Sequence, residues 1–518
     1  MATDNAKGRF TTLHTKRSGS IERARQCSDI TIPSILPPEG STEDTDLPTP
    51  YQSLGARGVN NLASKMLLAL FPSTTPFFRL RLSEKVKEML GAGKVEVENA
   101  MRVLENRGLL KIEQSRLRVM MYAAFRHMIV TGNALVYMPI TGDVRMFRLN
   151  QFVVVRDPMG NVTELLIKES VHPDTLPDNV REACKLNDSS DPKNKTGDKK
   201  DCDLYTWARL KGKNIEWHQE IDEIKVPGSQ GRTPVSESPF IVMRWTAVEN
   251  EDYGRGLVEE YLGDLRSLEG LSKAIIQFAA AASKIVYMVK PNARTDEDDI
   301  ADAESGDVIT GDEADVTVLQ IEKQADFQAA KAVADGIEVR LSHAFLLRNQ
   351  RDAERVTAEE IREQAQELED VLGGVYTVQS VETQLPVVKR ILAQMKADGE
   401  FPKFPKTAGE DPVTPSITTG FEALGRTHEL NKFRAFVADV GQTFGPEAVL
   451  KWFKVNEGIQ TFATSHNVDI KELVKTPDEV QQEEQAAQQQ QMMATAMDKG
   501  IGPLAKGAAD AVGEANNG

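Results

Sequence analysis

Residues 253–284, YGRGLVEEYLGDLRSLEGLSKAIIQFAAAASK, carry the pattern on which the architecture turns. Leu257, Tyr261, Leu262, Leu265, Leu268, Leu271, Ile275 and Phe278 recur at steps of three and four, so they share one stripe of a helix. Opened by Gly254-Arg255-Gly256 and continued to Lys284, that helix is about 40 Å long at 1.5 Å per residue. Its apolar end includes Gln277 and Lys284 and falls short of the roughly twenty apolar residues that cross a bilayer.

Downstream, residues 285–322 read as a small insert, with β-like pieces at 285–289 and 316–321 around an acidic run. Its eleven acids face only Lys290 and Arg294. A second helix occupies 324–347, and a polar break at 348–356 leads to a third. That third helix starts at Thr357-Ala358-Glu359-Glu360, which has the form of a capping box. Pro386 is expected to kink or end it, because proline removes a hydrogen bond and clashes with the preceding turn. A Pro-rich connector at 401–415, a short strand at 416–419 and helices from 421 to about 466 follow. Residues 477–518 are rich first in Gln and then in Ala and Gly, the composition of a helical or disordered tail.

Upstream, the helix expected over 51–71 stops at Pro72, and Phe77 to Leu82 alternate as a strand does. Helices are expected around 95–104 and 110–130. Short strands follow at 134–138, 144–149, 152–156 and 162–170, the last two joined by Asp157-Pro158-Met159-Gly160-Asn161. After a charged loop at 187–201, strands resume at 203–210, 215–219 and 240–247. This mixture is an α+β fold. The first fifty residues end in Pro33, Pro37, Pro38, Pro48 and Pro50. Between Lys7 and Arg25 they hold six basic residues against Glu22, which reads as a solvated basic arm, a transit peptide being the other reading.

Composition narrows the function. The 518 residues have 62 basic against 78 acidic side chains, a net charge of −16, so the surface as a whole cannot grip nucleic acid by neutralising phosphates. Cys27, Cys184 and Cys202 have no CxxC spacing, which fits a reducing compartment better than a disulfide framework. Gly91-Ala92-Gly93-Lys94 lacks the first glycine of a Walker loop, where Glu88 stands, and has Val95 in place of the metal-binding Ser/Thr. Gly254-Arg255-Gly256 lacks the third glycine of a dinucleotide loop, because Glu259 stands there. The seven histidines form no two-ligand pair on one turn. No catalytic, cofactor or metal site is expected.

The order of α+β domain, long helix, small insert, long helix, loop and kinked helix resembles the layout of tailed-phage portal proteins. The stretches YQSLGARGVNNLASKMLLALFP (51–72), YGRGLVEEYLGDLRSLE (253–269), LQIEKQADFQAAKAVADGIEVRLSHAF (319–345) and ERVTAEEIREQAQELEDVLGGVY (354–376) are similar to head-to-tail connectors of short-tailed podophages of the autographivirus type. The similarity runs from about residue 25 to 425 and weakens in the insert, in the 187–201 loop and after Thr427. The resemblance implies an N-terminal arm (1–50), a wing (51–253), a first stem helix (254–284), a clip (285–322), a second stem helix (323–347), a tunnel loop (348–356), a wing helix with a return strand (357–420), a helical crown (421–476) and a tail (477–518).

The same resemblance implies a homo-oligomeric ring of twelve at one capsid vertex, threaded by double-stranded DNA. Its implied partners are a terminase packaging ATPase, a tail adaptor, scaffold and major capsid protein, and internal core proteins at the crown. It implies no cofactor and no membrane, and a place in the virion after assembly in the host cytoplasm. Arg348, Arg351 and Arg355 of the tunnel loop would form the DNA gate, Arg355 foremost, unless Asp352, Glu354 or Glu359 hold them in ion pairs. Asp296, Glu297, Asp298 and Asp299 of the clip would dock partners, plain solubility being the other reading of so many acids. On the stem, Leu262, Leu265 and Phe278 suit packing, and Glu259, Asp264, Arg266, Lys273, Asp335 and Glu338 suit solvent or channel. A packaging ATPase would need the Walker loop that is missing. Other adaptors and scaffolds lack the helix–insert–helix succession.

Overall fold

Residues 6–30, expected as a solvated arm, form two helices, α1 (Ala6–Lys16) and α2 (Ser18–Ile30), in the computed structural model of the chain. Phe10 and Leu13 of α1 pack with Val153, Leu166, Tyr205 and Trp207, while Ile21, Ala24, Cys27 and Ile30 of α2 enter the main core. Two of the basic residues that suggested exposure are held firmly by the protein. Arg9 pairs with Glu164 at 2.6 Å. Arg17 is buried, donates to the Leu149 carbonyl at 2.7 Å and to that of Phe152, and lies 5.5 Å from the Tyr253 ring centroid. Burial lowers its pKa, and carbonyl dipoles replace the water it loses.

The structure describes residues 5–42, 44–72, 77–82, 94–186, 201–283, 286–319, 324–347, 373–401, 413–417 and 436–445. Two compact units are Met1–Gly420 and Phe421–Gly518. In the second, residues 436–444 are helical, and the remainder of the expected crown and the tail lie outside the described residues.

In the first unit, α3 (Leu54–Leu70) buries Val59, Leu62, Ala63, Met66 and Leu70, a helical stripe that forms the centre of the core. Strand β1 (Phe78–Leu82) pairs antiparallel with β13 (Val413–Ile417), three residues before the strand expected at 416. Helices α4 (Lys94–Gln114) and α5 (Leu117–Thr131) follow, and α5 ends at Gly132 with φ +76°. Strands β2 (Asn133–Tyr137), β3 (Arg145–Phe147) and β10 (Phe240–Arg244) make one antiparallel sheet in the order β10-β2-β3.

The larger sheet runs β4 (Phe152–Arg156), β5 (Val162–Val171), β6 (Cys202–Lys211), β7 (Asn214–Ile221), β8 (Ile224–Lys225), with β9 (Gly231–Pro234) also on β7. The β4–β5 turn closes as its residues dictate: Asp157 Oδ1 accepts from the Asn161 amide at 2.8 Å, and Gly160 takes φ +85°. The short pieces β8, β9 and α6 (Asp178–Ala183) had no signal in the sequence reading, and residues 187–200 lie outside the described residues.

The long helix expected over 254–284 is two helices, α7 (Leu257–Glu260) and α8 (Leu262–Ala282). Tyr261, at φ −104° and ψ 13°, separates them, and its ring packs beside Phe345 at 6.3 Å. Next come β11 (Val286–Val289), α9 (Glu297–Asp302), β12 (Val316–Leu319) and α10 (Gln324–Ala344). Beyond residue 372, α11 (Gly374–Gln379) passes through a π turn, Ser380–Gln384, into α12 (Leu385–Ala397). Pro386 therefore neither ends the helical run nor interrupts α12. It sits in the first turn of α12, where its missing N–H costs least, directly after a wide turn that accommodates the broken ladder. The whole is an α+β fold.

Candidate functional site

Phe278 stacks on Phe327 with ring centroids 5.1 Å apart, and Asp264 pairs with Arg340 at 3.1 Å, so α8 and α10 run antiparallel as a hairpin. Leu265 and Leu268 of α8 are buried, as are Ala334, Ile337 and Leu341 of α10 at helical spacing. Parts of both helices are left uncovered: Ile276, Val333 and Val339 are 50%, 56% and 57% exposed. Of the residues expected at solvent or channel, Arg266, Lys273, Asp335 and Glu338 are exposed, and Glu259 and Asp264 are half-buried. Four of the six also hold partners in their own chain. Glu259 pairs with Arg255 (3.1 Å) and Arg23 (3.4 Å), Asp264 with Arg340, Arg266 donates to Gln26 (2.7 Å), and Lys273 lies over the Tyr51 ring. The reason is α2 and the 51–53 segment, which lie along α8 where sequence alone left open space.

The approach to α7 and α8 is a close contact of two backbones. Asn133 Nδ2 donates to the Gly254 carbonyl at 2.9 Å, and the Gly254 amide donates back to Asn133 Oδ1 at 2.8 Å. A Cβ on Gly256 would stand 2.8 Å from the carbonyl oxygens of Ile129 and Val130. The Gly254-Arg255-Gly256 sequence is thus a packing device for the α5–β2 corner and not a nucleotide loop.

The far end of α10 is also fixed. Phe345 is fully buried against α3, where a Cβ on Gly58 would be only 2.6 Å from Phe345 Cγ. Leu346 takes φ +53°, and the Leu347 amide donates to the Ser342 carbonyl at 2.7 Å, closing the helix in a Schellman-like way. Asn61 Nδ2 donates to the carbonyls of Phe345 (3.1 Å) and Leu346 (3.0 Å), and Lys65 Nζ donates to that of Leu346 (2.9 Å). Arg348, Arg351 and Arg355 lie outside the described residues, and the segment that carries them departs from this anchored end.

Beyond residue 372, α11 and α12 are tied to the core. Gln379 Nε2 donates to the Arg244 carbonyl (2.6 Å), Thr383 donates to Gln379 Oε1 (2.9 Å), and Gln384 Nε2 donates to the Leu70 carbonyl (2.5 Å). Arg244 pairs with Glu382 at 2.5 Å. Arg156 beside it is lowered to about 10, by burial first and then by the Arg244 charge. No polar motif announced this network, because its members are single residues far apart in the chain.

The insert is a two-stranded antiparallel ladder, Val286 opposite Leu319 and Val289 opposite Val316, carrying an acidic outer segment. Asp296 caps α9, its carboxylate accepting from the Asp298 amide at 3.1 Å. Glu297, Asp298 and Asp299 fill the first turn, where the helix dipole favours anions. All four carboxylates are brought together and exposed. Asp315 instead serves the fold, accepting from the Arg294 amide at 2.8 Å and facing Lys290 at 3.7 Å. Val308, at the tip, is 98% exposed. Among the described residues no group of three or more His, Cys, Asp or Glu could hold a metal ion, and no helix is long and apolar enough to cross a membrane.

The chain has relatives among known proteins. The chain is 38% identical over 525 aligned residues, 98% of this chain and 94% of the other, to the portal protein of Escherichia phage T7. It is 39% identical to the portal protein of Enterobacteria phage T3, over 84% of this chain and 82% of the other. A solved structure of the neck of an empty GTA particle aligns with a TM-score of 0.36 at 11% identity, over 77% of this chain and 89% of that one. The profile of the bacteriophage head to tail connecting proteins matches residues 3–473, which takes in α1, α2, both helices of the α8–α10 hairpin and the insert between them, and the chain belongs to that family.

Proposed function

We propose that this chain is the subunit of a portal: a ring of twelve at one capsid vertex that conducts double-stranded DNA during packaging and ejection and holds the packaging motor and then the tail. The observation that carries it is the stem, an antiparallel hairpin partly packed on its own chain that leaves the apolar Ile276, Val333 and Val339 exposed. Such faces suit neighbouring copies in a closed ring. The portal proteins of T7 and T3, to which the chain is similar over most of its length, support the same reading. Its role is structural, without catalysis or cofactor. In this reading the terminase ATPase and tail adaptor meet the clip, scaffold and capsid protein meet the wing, internal core proteins meet the crown, and assembly takes place in the host cytoplasm.

The test is electron microscopy of the purified chain with mass measurement. A ring with a central channel, of about 690 kDa for twelve 57.2 kDa chains, is expected. A monomer that never assembles would overturn the proposal.

Arg355 is the proposed gate residue, with Arg348 and Arg351 behind it. Arg355→Ala should leave rings intact while packaged DNA is lost faster, and wild-type retention would remove the gate assignment. The clip acids are proposed to dock basic surfaces of the motor or adaptor. Changing Asp296, Glu297, Asp298 and Asp299 to their amides should weaken that binding by about tenfold or more at low ionic strength, with the difference fading in high salt. Titration calorimetry at two salt concentrations reads this directly, and identical affinities would exclude a docking role.

A further inference from the structure

All three cysteines are free and buried, yet they sit in two different settings. Cys27 lies in the main core, and burial, with Glu259 second, pushes its thiol up to about 12. Cys184 and Cys202 share a small separate core with Val180, Leu186, Leu204, Ile221 and Val226. Cys184 follows the last turn of α6, its amide donating to the Val180 carbonyl at 2.9 Å. Cys202 opens β6, with Sγ 3.2 Å from the Val171 carbonyl on the adjacent strand. Both thiols feel the carboxylate of Asp222 at the β7–β8 turn, and Cys202 also feels Cys184.

From this shared core we infer that Cys184 and Cys202 are an oxidisable pair that forms an intrachain disulfide when the chain meets a low-molecular-weight disulfide such as oxidised glutathione. The first thiolate attacks one glutathione sulfur, the glutathione S–S bond breaks, and a glutathione thiolate leaves and takes a proton. The second protein thiolate then attacks the protein-bound sulfur of the mixed disulfide, and the second glutathione leaves. Two protein thiols are oxidised, and one glutathione disulfide is reduced to two glutathiones. Burial and the Asp222 charge keep the thiolate fraction small, so exchange is slow while the core is closed. Seven residues make a small satellite core, and its local opening admits the oxidant. The link would fasten α6 to the start of β6, so a chain folded under reducing conditions gains it only afterwards.

The test uses the full chain in its native state with oxidised glutathione, followed by denaturation, alkylation with iodoacetamide and non-reducing peptide mapping. The expected result is one cross-linked peptide pair joining Cys184 to Cys202, with Cys27 alkylated and a thermal midpoint that rises and falls back on adding dithiothreitol. Cys184→Ser should abolish both the cross-link and the shift. Alkylation of both Cys184 and Cys202 after the oxidant, a stable mixed disulfide with no cross-link, or pairing of either with Cys27 would each overturn the inference. Because the mapping is done on the wild-type chain, the outcome does not depend on whether a variant folds.

Discussion

Phe345→Ala should destabilise the chain by about 3–5 kcal/mol, the range for deleting a fully buried aromatic side chain. The ring fills the space above Gly58 and beside Tyr261, and the backbone at Gly58 is rigid helix, so the site cannot collapse to fill the void. The loss extends beyond packing. The carbonyls of Phe345 and Leu346, gripped by Asn61 and Lys65, set where the 348–356 segment begins, and that registration depends on the ring. Calorimetry should show a lower midpoint, and packaging should fall further than clip binding does. A variant with a wild-type midpoint would mean that α3 does not anchor α10. Gly58→Ala attacks the same contact from the other side and should be destabilising as well.

Gly132→Ala is expected to be worse than an ordinary glycine substitution, costing more than about 2 kcal/mol. Its φ of +76° is disfavoured with a side chain, and the new Cβ would collide with the Gly254 carbonyl oxygen and stand 2.6 Å from Arg255 C and 2.7 Å from Gly256 N. Every one of those atoms is backbone, so no rotamer change relieves the clash. The hydrogen bonds between Asn133 and Gly254 would be pushed apart with it. Gly263→Ala is the control: nothing lies within 4 Å of its Cβ position on α8, and a helical Gly→Ala change should stabilise by about 0.5–1 kcal/mol. Denaturant unfolding of the two variants should move in opposite directions, and equal effects would contradict the corner geometry.

Much of this architecture was legible because periodicity and turn chemistry act locally. The stripe from Leu257 to Phe278, the alternation in β4 to β7 and the Asp157–Asn161 turn each report their own conformation. The acidic exposure of the insert followed from charge density alone. What stayed hidden depends on partners distant in the chain. Arg17 looks like a surface residue until the Leu149 and Phe152 carbonyls and the Tyr253 ring are brought round it. The apolar residues of α1 and α2 are spaced like a buried stripe, but the basic residues between them dominate the composition. Glycines 254 and 256 were visible as a helix start. Only the fold shows that they admit the corner at Gly132. The break at Tyr261 lies against Phe345 at the distant end of α10, and the π turn that accommodates Pro386 is also held by the Arg244–Glu382 pair, contacts that no local window contains.

The anchoring of Phe345 and Leu346 has a mechanical side. If DNA drags on the segment beyond Leu347, tension enters the chain at the two carbonyls held by Asn61 and Lys65 and passes into α3, which buries its apolar stripe in the main core. The hairpin of α8 and α10 is then shielded from the pull. In the proposed portal, the subunit would take strain from DNA without passing it to the acidic insert, where a motor or tail would have to stay attached.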